Sequence, residues 1–529
     1  MDLEILPQLE VRVINGIRGV ATKSLVPVGS TLTAVPWEAC IAVVAGNDED
    51  AQPCPIAADW IDAQYWYGAP WYVKMATWLL YERAQGDGSA YAPYMRQLPW
   101  DECAEMPVEW SQEDILELQY PPVWSSIFEL SNHLELQHAA FRKANEGKAG
   151  AATDLASFRR VARCAIADVT VAANTFDEIE RDATTTWQNS MPQATAAVAL
   201  AFSRCFQLTA KDGKLRHVMA PWGDMFNHKS HSYSEFRPLL TGVGIELRTY
   251  TEHQPDREVF ISYGFKSNDR LLEIYGFVEA NNPLEDFVIE DVLEMFREEA
   301  EEAAQQQATG GAAPLLGLDI EGSAGEALRH VASQGGARDV LLRRLGLKPY
   351  LRQVALHHQG RVLPEVLTAL RVLMATRDEL AAVSPDLAAA LDEASASAAT
   401  TNKDDDLELI DGALALRRAF AAPAAVALEA RTRMCLLVTC RLALARACEG
   451  ATGLAEDRAL LRAEEAKARF AGAEPTPEQR HRQRLITALK FRIEKKALLS
   501  GAQQYLSVLT KVQLENPTAM VFDGPKVRG

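Results

Sequence analysis

The chain has 529 residues and a mass of 58.2 kDa, more than one hydrophobic core ordinarily organises, so two or three domains are expected. With 48% hydrophobic and 24% charged residues it has the composition of a folding globular protein. Its 54 Lys and Arg against 72 Asp and Glu leave a net charge of -18, which opposes phosphate attraction and argues against a direct reader of nucleic acid. The same surplus of acid suits a basic or lysine-presenting partner and equally serves solubility.

The first 45 residues read as a small β unit. Leu9, Val11 and Val13 alternate, a glycine-bearing turn follows at Gly16 and Gly19, and Thr31 to Val35 runs into Pro36. From about Trp60 the period changes. Trp71, Met75, Trp78 and Leu79 share one helical face, and helical segments continue to about Phe206, an insert of roughly residues 46–205. Strand signals return at Ile245 to Tyr250 and at Glu258 to Tyr263, closed by Gly264, and Asn268 to Ile274 reads as a helix. Distant sequence, residues 206–285, therefore completes the β unit.

Glu298 to Ala308, followed by Gly310 and Gly311, reads as a helix end and linker, which places a domain boundary near residue 290. Beyond it, Leu363, Val366, Leu367, Leu370, Leu373 and Met374 follow helical spacing, as do Leu485, Leu489 and Ile493. The expected fold class is α+β, short antiparallel β-sheets with a helical insert, followed by an all-α second domain over residues 291–529. Ala394 to Asp406, rich in Ala, Ser and Thr and ending in three aspartates, reads as a disordered excursion between helices.

Eight cysteines are scattered without a Cys-x-x-Cys pair, the closest being Cys435 and Cys440, so free thiols in a reducing compartment and no metal are expected. No run approaches the roughly 18 apolar residues of a membrane span. The start, Met1-Asp2-Leu3-Glu4, has neither a basic secretory lead nor transit-peptide character. The expectation is an intracellular protein of the cytosol or plastid stroma, with the nucleus open and a removed organelle leader compatible.

There is no Walker loop, dinucleotide fingerprint, His-Glu-x-x-His or Gly-x-Ser-x-Gly. The densest polar constellation is Pro221-Trp222-Gly223-Asp224-Met225-Phe226-Asn227-His228, followed by Phe260-Ile261-Ser262-Tyr263-Gly264. Asp224-x-x-Asn227-His228 with Ile261-Ser262-Tyr263-Gly264 resembles the signature pair of SET-domain methyltransferases. Arg18-Gly19-Val20-Ala21 resembles the opening turn of that fold, and Ser267-Asn268, Tyr275-Gly276-Phe277-Val278 and Asn282-Pro283 its closing segment. Trp78 to Glu82, Tyr94 to Pro99, Trp110 to Leu118 and Ser203-Arg204 are similar to the insert and Ser-Arg pair of the Rubisco large-subunit methyltransferase (LSMT) subfamily. Leu363-Pro364, Leu370 to Leu373, Glu456-Asp457, Leu460-Leu461 and Arg492 to Lys496 resemble its helical substrate-binding domain.

The resemblance implies transfer of a methyl group from S-adenosylmethionine to a lysine of a non-histone protein, and a core whose carboxyl segment threads under a loop. Tyr263 is then the catalytic tyrosine, its hydroxyl directed at the transferring methyl and the amine; alone, a packed strand-end tyrosine would be the better reading, and the flanking motif reverses that preference. Arg18 and Gly19 would form the turn against the cofactor's methionine end, where a missing Cβ permits close approach. Asn227 and His228 would meet the adenine, largely through backbone, with Asp224 a structural acceptor beside them. Arg204 would meet the cofactor carboxylate or shape the lysine channel, Ser203 would bind the cofactor beside it, and Tyr275 would line the cofactor pocket.

A related branch that methylates histidine has an asparagine and a tryptophan where this chain has Phe206 and Gly223; both line the expected substrate channel, and an apolar Phe206 favours lysine. The residues Val521 to Gly529 hold no zinc-binding cysteine cluster of the kind other SET proteins use. A histidine methyltransferase and a non-catalytic partner-binding protein stay open as alternatives.

Overall fold

The computed structural model describes residues 3–14, 17–44, 53–98, 100, 106–152, 205–209, 214–239, 242–308, 336–397, 409–410, 412–421, 426–448, 452–468 and 476–515. It divides the chain into two compact units, Met1–Asn282 with Ala468–Ala488, and Pro283–Lys467 with Leu489–Gly529.

In the first unit β1 (Glu4–Ile5), β2 (Leu9–Ile14), β3 (Ile17–Thr22), β4 (Thr31–Pro36) and β5 (Ile41–Val44) precede the helices α1 (Ala63–Gly68), α2 (Trp71–Gln85), α3 (Ala92–Gln97), α4 (Gln112–Leu116) and α5 (Pro121–Ala144). Then come β6 (Cys205–Thr209), β7 (Leu215–Met219), β8 (Asn227–His228), β9 (Ser234–Pro238), β10 (Gly244–Thr249), β11 (Phe260–Ile261) and α6 (Asn268–Tyr275). One sheet runs β1-β4-β10-β9 and another β5-β7-β6, so each joins the amino-terminal strands to strands some 200 residues later. Both sheets are antiparallel.

β4 is buried along nearly its whole length, as a central strand covered on both faces should be. The β2–β3 hairpin behaves otherwise: Leu9 is buried, whereas Val11 and Val13 on the same face are exposed, because the hairpin runs outward past the core. α2 sets Met75, Ala76, Leu79 and Leu80 into a core shared with Ile41, Val43 and Met219. Each large apolar side chain so buried contributes about 1.5–3 kcal/mol. Caps at Asp62 for α1 and Ser111 for α4 satisfy their orphan amides.

The second unit holds β12 (Asp286–Glu290), α7 (Val292–Ala308), β13 (Gln353–His357), α8 (Pro364–Met374), α9 (Arg377–Val383), α10 (Pro385–Ser397), α11 (Ala413–Ala421), α12 (Val426–Cys448) and α13 (Leu454–Lys467). It is helical, as its spacing predicts, with one addition. β12 and β13 form a two-stranded antiparallel ribbon in which Phe287, Ile289, Val354 and Leu356 are buried. Five-residue strands carry too short an alternation to stand out from flanking helical patterns. Of the excursion expected from Ala394, residues 394–397 instead end α10, and residues 398–406 lie outside the described residues. α14 (Pro477–Glu515) supplies residues to both units.

Among the described residues Cys40, Cys54, Cys205, Cys435, Cys440 and Cys448 are free thiols. None of the described helices is long and apolar enough to cross a membrane.

Candidate active site

The site assembles where β3, the turn before β8, and β11 meet. β8 and β11 pair in parallel, Asn227 opposite Phe260 and His228 opposite Ile261, the one parallel pairing among the described strands. Ahead of β8 the chain makes a tight turn, with Trp222 at φ +71° and a 3-10 turn over Gly223–Met225. Positive φ is costly for a bulky residue and persists only where its surroundings hold it. Here Trp222 packs edge-on to Phe226, and Met225 and Phe226 are buried in the core beneath.

The Asn227 amide donates to the Arg18 carbonyl at 3.1 Å and to the Glu258 carboxylate at 2.7 Å, tying β3 to β8; Arg18 and Gly19, expected in a turn, are strand residues paired with Val13 and Arg12. A Cβ on Gly19 would lie 2.6 Å from Glu258 Oε1 and 2.7 Å from Asn227 Nδ2, so any side chain there must displace those two groups. The Arg18 guanidinium turns to the Gln97 carbonyl at 2.8 Å. Asp224 is buried and accepts from the Tyr94 hydroxyl at 2.8 Å.

The His228 side chain is fully enclosed. Its Nδ1 accepts from the Tyr263 backbone N–H at 3.0 Å, which places the proton of the neutral ring on Nε2, facing Glu279 Oε2 at 3.3 Å. Burial holds its pKa below the ordinary histidine value, although Glu279 pulls the other way. Glu279 is itself fixed: its carboxylate takes the Ser230 amide and hydroxyl, and its backbone exchanges two hydrogen bonds with the Asn268 side chain.

Tyr263 donates its hydroxyl to the Phe226 carbonyl at 2.9 Å, just before Asn227 and His228. Its ring packs against Tyr275 at 4.7 Å and His228 at 5.0 Å, and Phe277 lies 5.9 Å from His228. Tyr263, Tyr275 and Phe206 line a cavity of about 840 Å³. Phe206 packs against Phe236 with centroids 4.0 Å apart and planes tilted by 43°, and a Cβ on Gly223 would stand 2.8 Å from that ring.

The sequence-predicted residues thus fall into three neighbourhoods: Arg18, Gly19 and Asn227; His228, Tyr263 and Tyr275; and Phe206 with Gly223, joined through Phe236. Asp224 stands apart, held by the insert through Tyr94. Ser203 and Arg204 lie outside the described residues. Sequence reasoning missed Glu258, Ser230, Glu279 and Phe236. Glu279 directly follows the Tyr275 to Val278 segment, which is its one local signal; the others acquire partners only through distant pairings.

No family model matches the chain. SET domain-containing protein 4 of Homo sapiens and of Mus musculus are 36% and 38% identical to it over 66 residues, 12% of this chain and 15% of each relative's length. A solved structure of the SET domain of LSMT bound to lysine and AdoHcy superposes with a TM-score of 0.52 at 13% identity, covering 96% of this chain and 88% of that one. Rubisco LSMT bound to sinefungin and monomethyllysine gives 0.52 at 14% identity, with 96% and 88% covered. Rubisco LSMT bound to AdoMet gives 0.51 at 14%, with 98% and 93% covered. The chain therefore has the fold of these LSMT structures, an α+β SET fold with a helical carboxyl-terminal region.

Proposed function

We propose that this chain is an S-adenosylmethionine-dependent protein-lysine N-methyltransferase acting on a non-histone protein. Tyr263 carries the reading: its ring lines the cavity while its hydroxyl is anchored on the carbonyl of the residue before Asn227-His228. The LSMT structures that share the fold hold lysine or monomethyllysine together with AdoHcy or sinefungin.

The residues present fit that cofactor. Gly19 lies within β3 rather than in the expected turn, and its missing Cβ leaves room beside Glu258 and Asn227; Phe277 sets its ring beside the enclosed His228, and Tyr275 packs on Phe277. Arg18, Gly19, Asn227, His228 and Tyr275 would hold it, with Ser203, Arg204 and Asp224 assigned from the sequence. When bound, S-adenosylmethionine supplies a methyl group on a sulfonium centre.

The chain's own task is to present a neutral amine. A free lysine has a pKa near 10.4, so only about one amine in a thousand is neutral near physiological pH. Aromatic walls disfavour the ammonium by desolvation, and its proton leaves to solvent. The Tyr263 hydroxyl, oriented by the Phe226 carbonyl, accepts from the amine and fixes the direction of its lone pair. Phe206, packed on Phe236, gives an imidazole acceptor nothing to hydrogen-bond, which favours lysine over histidine.

The test is incubation of the purified protein with radiolabelled S-adenosylmethionine and a cell lysate, with labelled sites located by peptide mass spectrometry. Label on lysine that falls about a hundredfold in Tyr263→Phe is expected, the cost of a misplaced reacting group. Label on histidine selects the histidine methyltransferase, and cofactor binding without transfer selects the partner-binding protein.

A further inference from the structure

The cavity lined by Tyr263 has a second wall with no part in the mechanism above. It comes from β6, β7 and the first residue of α2, through Cys205, Gln207, His217 and Trp71. The His217 ring lies flat on the Trp71 indole, with centroids 3.4 Å apart and planes within 7°. His217 is 3% exposed, and among the described residues neither ring nitrogen has a hydrogen-bond partner. His217 lines the cavity, so its nitrogens can find a partner in whatever enters.

The wall has a defined chemistry. Burial pushes the His217 pKa down to about 4, so near pH 7 the imidazole is neutral, with one N–H donor and one lone pair. Cys205, Phe206, Gln207, Leu208 and Trp71 bring no formal charge. The charged residues of the lining, Glu235, Lys266 and Arg270, come from β9 and the segment after Tyr263. A carboxylate or ammonium entering against Trp71 and His217 would lose hydration for a single neutral hydrogen bond, whereas an uncharged polar group loses far less. A volume of about 840 Å³ exceeds what one extended lysine side chain fills, lying within the usual range of about 300–1,000 Å³ for ligand sites.

We infer that Trp71 and His217 form a subsite for the protein substrate, receiving an uncharged hydrogen-bonding side chain, a carboxamide or a hydroxyl, that flanks the target lysine. The subsite rests on the methyltransferase reading of Tyr263. His217 acts there as a positioning residue, and Trp71 as the plate that fixes its plane.

The experiment uses the full chain, radiolabelled S-adenosylmethionine and a synthetic peptide library with one central lysine and Gln, Asn, Ser, Thr, Glu, Lys or Leu at each flanking position. The lysate proteins are labelled in parallel. The wild type should favour Gln, Asn, Ser or Thr at one flanking position by about tenfold in kcat/KM, the size of one neutral hydrogen bond. His217→Phe, which keeps the stack and removes the nitrogens, should abolish that preference by raising KM, with kcat and S-adenosylhomocysteine affinity unchanged. His217→Gln should keep part of it. A preference that survives in folded His217→Phe overturns the subsite, as does a flat wild-type profile, which decides alone where His217→Phe does not fold. Absence of label on every peptide and every lysate protein overturns the methyltransferase reading instead.

Discussion

Gly19 shows how a single atom decides a site. A methyl group at this position meets Glu258 Oε1 at 2.6 Å and Asn227 Nδ2 at 2.7 Å, so Gly19→Ala must displace the two groups that tie β3 to β8. S-adenosylhomocysteine affinity should fall at least about tenfold by isothermal titration calorimetry, the loss expected from one displaced hydrogen bond in the wall. Unchanged affinity would remove Gly19 from the cofactor site. Tyr263, Asn227 and His228 were legible in the sequence because each sits in a short contiguous motif. Glu258 and Glu279 were not, because neither stands in the motif that holds its partner: Glu258 meets Asn227 across 31 positions and Glu279 meets Ser230 across 49.

Elements follow the same division between local and distant causes. α2 and α8 are readable from the spacing of their apolar residues, although burial goes further than that spacing: Tyr72 to Thr77 and Thr368 to Met374 are buried without a break. The parallel pairing of two-residue β8 and β11 is not, because nothing in two residues specifies a partner 33 positions away. Nor does spacing reveal that α4, only five residues long, is fastened by the start of α14: Asp114 is 4% exposed and takes His481 Nδ1 at 2.5 Å and Arg484 Nη1 at 3.0 Å. Burial alone would raise its pKa, but hydrogen bonds from Arg484 and His481 prevail and hold it below the usual carboxylate range. That contribution is present above the unfolded value of about 3.8 and is lost as pH falls through the folded value. Asp114→Ala should lower stability by about 1–3 kcal/mol in urea denaturation at neutral pH. Loss within error would mean that the contact is replaced by solvent at no cost.

Over the whole molecule, stability at neutral pH rests on different ionisations in the two units. His133, His217, His228 and His253 belong to the first unit, and each is held below its ordinary value chiefly by burial, His217 down to about 4. A histidine kept neutral in the folded state binds a proton only after unfolding, so its contribution is complete above pH about 6.5 and declines as pH falls toward the folded value. For His217 alone the loss approaches about 3 kcal/mol by pH 4. In the second unit the carboxylates displaced from their ordinary values, Glu379 and Asp392, are lowered, so their contribution persists until pH drops below about 4.5. Acid should therefore unfold the first unit before the second. The sequence supplies the probe: all 10 tryptophans lie between Trp37 and Trp222, within the first unit, whereas far-ultraviolet circular dichroism also reads the helices of the second. On titration from pH 7 to pH 4, tryptophan fluorescence should change at higher pH than the helical signal, and His217→Phe should shift the fluorescence transition to lower pH. Coincident transitions would show that the two units unfold as one, and an unshifted variant would show that His217 is not kept neutral by its burial.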